Sequence, residues 1–432
     1  MDACTIGLPT DATGRVRRPR LRLGFAVSAF ALCAIILTRV ASAAEGTQAL
    51  GVGAIQQGLA GAGVAAPQDA AWIRVNPAAI VDLERRLDLG LELYYNEAAA
   101  DLMGPLLAGA PENIGPVVIS LVNPWAGEMH DVSLMLSPSA AAVFPHGDYA
   151  IGLGFFGVRG SRVDYPKART LVGLRWGGDR RTGLEVVEAP FAWAHRFDNG
   201  WAVGASLVGV GARLRSDSMT RRLTVARADY MWDYAYGAGF RVGIYRRWDA
   251  WSVGLCYSSR QWMQRFDDYG DLMRFSFDHP QTVQAGVAWR PHPKWEILAD
   301  YRFIDWSGVP QLSHPTIEAG LGWEDQHIGK LALQYALSDA WTLRMGVSYG
   351  RSPVPDREVF SNVMFPANSE AHASVGASWR FAPRHELHVA YQHAFEKRLE
   401  DSGKGDLFSL GGGGTATRLA QHALSMQYTW RF

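Results

Sequence analysis

The side chains that could do chemistry are scattered along this chain. Twelve histidines occur in 432 residues, none spaced to bring three ligands onto one metal, and no H-E-x-x-H, G-x-S-x-G or Gly-rich phosphate loop is present. His393, His422 and Ser425 come nearest to a base and nucleophile, as a lipase at a barrel rim would need. No catalytic residue, metal or cofactor is assigned on that basis. Residues suited to binding are more prominent. Trp262, Phe266, Tyr269 and Met273 recur at intervals of four, three and four, with Met263 beside the first. This spacing predicts one apolar stripe on a helix, either packed on neighbouring loops or open as a groove that captures an apolar ligand. Arg221, Arg222 and Arg265 could meet a carboxylate headgroup there, or face lipopolysaccharide phosphates and water. Magnitudes rank the two parts of such a ligand. Burying each methylene contributes roughly 0.8 kcal/mol, so a chain of about fourteen gains on the order of 11 kcal/mol before ordering costs. A charge-assisted hydrogen bond to the headgroup contributes only about 1.5 to 3 kcal/mol.

The chain that positions these residues alternates. In the final stretch His422, Leu424, Met426, Tyr428, Trp430 and Phe432 fall on one face, against Ala423, Ser425, Gln427, Thr429 and Arg431 on the other. Six short turn signals, at 145–148, 197–200, 246–249, 291–294, 338–340 and 382–385, each separate two such runs and read as hairpins. With one strand near 86–96 and the terminal strand they predict fourteen. Short turns on one side, long loops on the other and an even count describe an antiparallel transmembrane β-barrel with a polar lumen. Trp201, Trp251, Trp295 and Trp341 follow short turns closely, while Trp193, Trp289 and Trp379 precede them, as a ring at a membrane boundary would. Inward Arg241, Arg302, Arg344 and Arg380 are expected to pair across the lumen with acids such as Asp233, Glu296 and Asp300. With 42 basic and 42 acidic residues the formal charge is zero, which gives no support to a nucleic-acid partner.

The N-terminus suggests the cellular address. Five arginines between Arg15 and Arg22 precede an apolar run from Leu23 to Leu37, and Ala41-Ser42-Ala43 offers small residues for cleavage. Residues 1–43 read as a secretory signal peptide; the alternative, a single anchor, would need a longer run. Only Cys256 follows, so an intramolecular disulfide is not expected.

Residues 44–85 lack alternation and are rich in Gly, Ala and Gln, too small in side chain to build a core of their own. Here a resemblance enters. A Gly-Ala-Gly turn, an Asp-Ala-Ala step and Asn76-Pro77-Ala78, set between a signal peptide and a long β region, look like the hatch of the FadL family of outer-membrane long-chain fatty-acid transporters. Further along, Asp305-Trp306-Ser307, Phe277-Asp278-His279-Pro280, Ser259-Arg260-Gln261-Trp262 and Phe365-Pro366-Ala367-Asn368 resemble family stretches. The resemblance implies a plug (44–85) inside a barrel (86–432) in the outer membrane, probed by hydrophobic ligands and bounded by outer-membrane lipid and lipopolysaccharide. A monomer is expected. The family also contains carriers of aromatic hydrocarbons, which is the first alternative; a barrel lipase and a structural or adhesin barrel are the others. In the family the hatch motif lies beside an inward kink of the third strand, which implies a gate here at Asn76, Pro77, Ala78, Gly152, Gly154 and Gly157, since glycine lets another backbone approach.

This topology puts both termini on the short-turn side. In a Cys256→Ser background, cysteines at Ser218 and Asn362 should react with an impermeant reagent on intact cells, and cysteines at Asn199 and Asp339 should not. The reverse pattern would invert the barrel.

Overall fold

The computed structural model describes residues 45–102, 127–168, 178–216, 231–269, 274–318, 320–405, 409 and 413–432. The expected signal peptide, Arg221, Arg222, Met273 and labelling position Ser218 lie outside them. Fourteen long strands form one antiparallel sheet: β1 (Arg86–Leu102), β2 (Gly127–His146), β3 (Tyr149–Ala168), β4 (Gly178–Arg196), β5 (Trp201–Ser216), β6 (Asp233–Arg247), β7 (Trp251–Ser258), β9 (Thr282–His292), β10 (Trp295–Ile304), β11 (Gln326–Ala336), β12 (Trp341–Gly350), β13 (Ala371–Ala382), β14 (His385–Glu400) and β15 (Ala416–Arg431). A two-residue strand, β8 (Trp262–Met263), adds to the side of β6. β1 pairs with β15, and the β5–β6 ladder completes the circle. A closed sheet leaves no unpaired edge, which is the condition for strands to cross hydrocarbon. All six expected hairpins are present.

The faces follow the alternation. On β15 Leu424, Met426 and Trp430 are exposed while Ala423, Ser425, Gln427 and Thr429 are buried. Outward leucines, valines and aromatics recur on every side, Leu207 at 71% exposure, an apolar surface that only lipid would cover. The tryptophans share a level. Register sets Trp251 opposite Trp289 and Trp341 opposite Trp379, and the rings stack with centroids 5.4 and 5.7 Å apart.

Residues 45–83 fill the lumen. They form two short helices, Gly53–Gly58 and Trp72–Val75, and a 3-10 turn, Pro77–Asp82, with most side chains fully buried. So little side chain can fill a barrel only if the backbone itself approaches the wall, and inward glycines make the room. At Gly204 an added Cβ would stand 2.4 Å from the backbone N of Ala78 and 2.5 Å from the carbonyl carbon of Pro77.

The long-loop side is packed as well. Trp306 and Trp323 meet edge to face at 4.9 Å, and Asn362 accepts a hydrogen bond from the Trp323 indole at 2.6 Å. Asn362 is only 2% exposed, which corrects its choice as a labelling site; the half-exposed Arg357 on the same side serves instead. The close approach at Gly204 is testable. Gly204→Val should displace the 3-10 turn at a cost of about 1–3 kcal/mol or more, and raise ion conductance in planar bilayers. Gly329→Val should leave conductance unchanged, since a Cβ there meets nothing within 4 Å.

Candidate functional site

One stretch of wall is not closed by its own neighbours. The β2–β3 ladder runs from His146↔Tyr149 to Ser139↔Phe156 and stops. β2 nevertheless stays paired with β1 as far as Gly127, and β3 with β4 as far as Ala168. Residues 127–138 and 157–168 therefore border a seam. Among the described residues only isolated contacts cross it, such as the Ser137 hydroxyl donating to the Gly157 carbonyl at 3.3 Å. At the foot of the seam the β3–β4 register shifts between Gly157 and Arg159, so Val158 is an extra residue. Alternation fails there, with Phe156, Gly157 and Val158 buried in succession, as a bulge that turns the strand inward would produce.

The backbone that β2 no longer satisfies is satisfied from inside. Ala49 N–H donates to the Val158 carbonyl at 2.9 Å, and Gly160 N–H donates to the Thr47 carbonyl at 3.2 Å. Residues 47–49 thus stand in for the missing strand. They are held by charge. The Lys330 ammonium lies 2.5 Å from the Glu45 carboxylate, Arg302 also donates to Glu45, and Arg302 donates to the Gln48 side chain at 2.5 Å. Gly46, at φ +64°, passes directly beneath the ring of Trp306, a backbone conformation and a clearance that a Cβ would deny. Burial pushes the Glu45 carboxyl up, but Arg302 and Lys330 outweigh it and hold it below its ordinary 4.5.

The rest of the inner segment is bound more densely. Wall carboxylates accept from its backbone: Glu92 from Gly53, Asp300 from Gly63 and Val64 at 2.9 Å each, and Asp88 from Ala70 at 2.8 Å. The Asn76 amide donates to the carbonyls of Val64 and Ile244, both at 3.1 Å, and its oxygen caps the 3-10 turn through Ala78 N–H. Asn76 is extended, at φ −156° and ψ 101°, as the following Pro77 demands. Beside the seam lies a cavity of about 40 Å³ lined by Gln48, Arg74, Val158, Glu188, Arg241 and Arg302. That volume suits a water or two and no alkyl chain.

Several expected placements change. No α-helix forms over 262–269, where only Asp267–Tyr269 makes a 3-10 turn, because Trp262 and Met263 are drawn into extended pairing with Ala238 and Gly237, and Gln264 N–H continues it to the Tyr236 carbonyl. Trp262 faces outward at 54% exposure, while Met263, Phe266 and Tyr269 are buried under the loops, so the four do not share a groove. Arg265 is exposed on the same loop. Asn76, Pro77 and Ala78 sit against β5 and β6 rather than beside the bulge. Gly152 makes room for Ile73 and Ile80, Gly154 for the Phe156 ring, and only Gly157 adjoins the bulge. Arg241 pairs with Glu188 at 2.6 Å and Arg380 with Glu386 at 2.6 Å, whereas Asp233 and Asp300 bind backbone amides and Glu296 takes Arg290. Ser425 is buried on the inner face and His393 and His422 lie together on the outer, so no lipase pair forms. Thr47, Ala49, Val158 and Lys330 were missed; Lys330, the one Lys, Arg, Asp or Glu of its strand and on its inward face, was the available signal.

If the Glu45 charge holds the stand-in strand, its contribution is present above the ordinary carboxyl value and is lost as pH falls through the depressed one. The Ala49 amide should be protected from hydrogen exchange at neutral pH and at pH 5, and lose protection only as pH falls well below the ordinary carboxyl value, after correction for intrinsic exchange. Glu45→Gln should lose it at every pH.

The outer membrane protein transport protein family described as OMPP1/FadL/TodX matches residues 34–432 of this chain. Among solved structures, the Pseudomonas putida toluene transporter TodX aligns at TM-score 0.67 and 15% identity over 89% of this chain and 99% of its own. A Pseudomonas aeruginosa FadL homologue aligns at 0.63 and 16%, over 90% and 100%. The Ralstonia pickettii toluene transporter TbuX aligns at 0.60 and 17%, over 89% and 99%. No curated protein sequence matches.

Proposed function

Because this chain belongs to the OMPP1/FadL/TodX family of outer-membrane transport proteins and is an outer-membrane channel for hydrophobic compounds, we propose that it takes up long-chain fatty acids or comparably apolar molecules, and that they leave its lumen through the β2–β3 seam. Residues 1–43 act as the export signal and residues 44–85 as the plug. The observation that carries this reading is the substitution of residues 47–49 for β2 along Val158 and Gly160. A ligand entering beneath the loops competes with that short stretch, displaces it, and leaves a gap in the wall whose outer side is hydrocarbon. A route straight down would have to dismantle the amide-to-carboxylate contacts of residues 53–83, which are more numerous and fully buried.

The arginines beside the seam favour a ligand with an anionic head. Arg74 and Arg241 share the single carboxylate of Glu188, at 3.4 and 2.6 Å, leaving a net positive site next to Val158. A monoaromatic hydrocarbon, such as the toluene of the TodX and TbuX titles, would make no use of it.

Cysteines at Ser137 and Gly157 in a Cys256→Ser background would staple the seam. Oxidised protein should fail to take up a labelled long-chain fatty acid in whole cells, and reduction should restore uptake to the parental rate. Uptake through the oxidised barrel would rule out lateral exit, and toluene uptake without fatty-acid uptake would reassign the substrate.

A further inference from the structure

The cavity beside Val158 brings three guanidinium groups to one carboxylate. Arg74 reaches it from the inner segment, Arg241 from β6 and Arg302 from β10, while Glu188 comes from β4. Glu188 is fully engaged. Its Oε2 takes Arg241 at 2.6 Å and the Arg74 Nε at 3.4 Å, and its Oε1 accepts from the Gln261 amide at 2.9 Å with His279 Nδ1 at 3.8 Å. Arg302 directs its two terminal nitrogens away, to Glu45 and Gln48. The other charges deep in the lumen are matched elsewhere: Lys330 with Glu45 at 2.5 Å, Asp300 with the amides of Gly63, Val64 and the Gln284 side chain, and Glu92 with Gly53, Gln57 and Tyr94.

Cationic donors are left over. The Nη1 of Arg241 and the Nε of Arg302 are buried with no acceptor among the described residues, and the two residues are 4% and 7% exposed. Arg74, with a side chain 10% exposed, has only its 3.4 Å contact to Glu188. Buried polar groups in folded proteins are met by protein, by water or by an ion, and a charged donor left unmet is the costliest case. Like charges around one small volume also repel, and a neutral water does nothing to offset that.

We infer that this cavity binds one small inorganic anion, a halide such as chloride, between Arg74, Arg241 and Arg302. Size selects the class. A volume of about 40 Å³ holds a water or two, so a halide fits and a sulfate or phosphate with four oxygens does not. A spherical ion also accepts from three guanidiniums at once without demanding a direction from any of them. The Gln261 Oε1 is unpartnered as well and suits a water sharing the cavity. Because Arg74 belongs to the Trp72–Val75 helix and the other two to wall strands, the ion ties the inner segment to β6 and β10. This holds whatever the channel carries.

Crystals of the detergent-purified protein grown in sodium bromide test it directly. An anomalous difference peak should lie within hydrogen-bonding reach of the three guanidiniums. In solution, the temperature at which the folded, fast-migrating gel form is lost should be higher in sodium chloride or bromide than in sodium gluconate at equal ionic strength, because an ion bound only by the folded state stabilises it. Arg74→Gln should weaken halide binding about tenfold or more and remove that difference, while Arg74→Lys, which keeps the charge, should retain part of it. The salt exchange on the wild type needs no variant, so a misfolded Arg74→Gln would leave the test intact. Ordered water with no anomalous signal, or equal transition temperatures in chloride and gluconate, would overturn the assignment. So would protection by acetate without protection by bromide, which would make the cavity a carboxylate site.

Discussion

Every backbone N–H and C=O in a membrane wall needs a partner from protein, because hydrocarbon supplies none. Among the described residues, twelve of the fourteen strand-to-strand boundaries meet that demand with continuous or nearly continuous ladders, and β6, which outruns β7, is met beyond it by β8 and Gln264. The β2–β3 boundary meets it for only half its length, and Thr47 to Ala49 complete the count from inside the lumen. The segment inside the lumen is thus part of the wall's own hydrogen bonding.

The lumen is built on the same economy of backbone groups. Residues 45–83 carry too little side chain to pack a hydrophobic core, and the inner wall answers with buried carboxylates that accept from their amides, Glu92, Asp300 and Asp88 among them. Hydrogen bonds to charged groups contribute about 1.5–3 kcal/mol each where removal would leave a buried charge unmet, so residues 53–83 form the stable part of the plug. The first turn is different. It hangs on Glu45, Gln48 and two short backbone bonds, and its carboxylate is met by cations from β10 and β11. Local release of that turn requires far less than release of residues 53–83.

The outer face obeys a second solvent. Its apolar band and tryptophan ring reflect depth in the bilayer rather than packing inside the barrel.

What the amino-acid sequence determined by itself is whatever depends on one strand at a time. Alternation along the strand ending at Trp430 places each side chain in or out, a short turn such as that at Gly147 joins two neighbours, and fourteen runs give fourteen strands. The composition of residues 44–85 likewise rules out an independent core. The spacing from Trp262 to Tyr269 misled, since a period near 3.6 states only what a helix would do if nothing else claimed the backbone, and the free side of β6 claimed it. The tertiary structure alone decided which residues meet across the lumen. Arg241 takes Glu188 from β4 and Lys330 takes Glu45 from the plug because the stagger of a closed barrel sets the height of every strand at once. The position of the bulge at Val158 follows for the same reason: a ladder fails where two strands and a third segment compete for one row of carbonyls, and no single stretch of sequence contains all three.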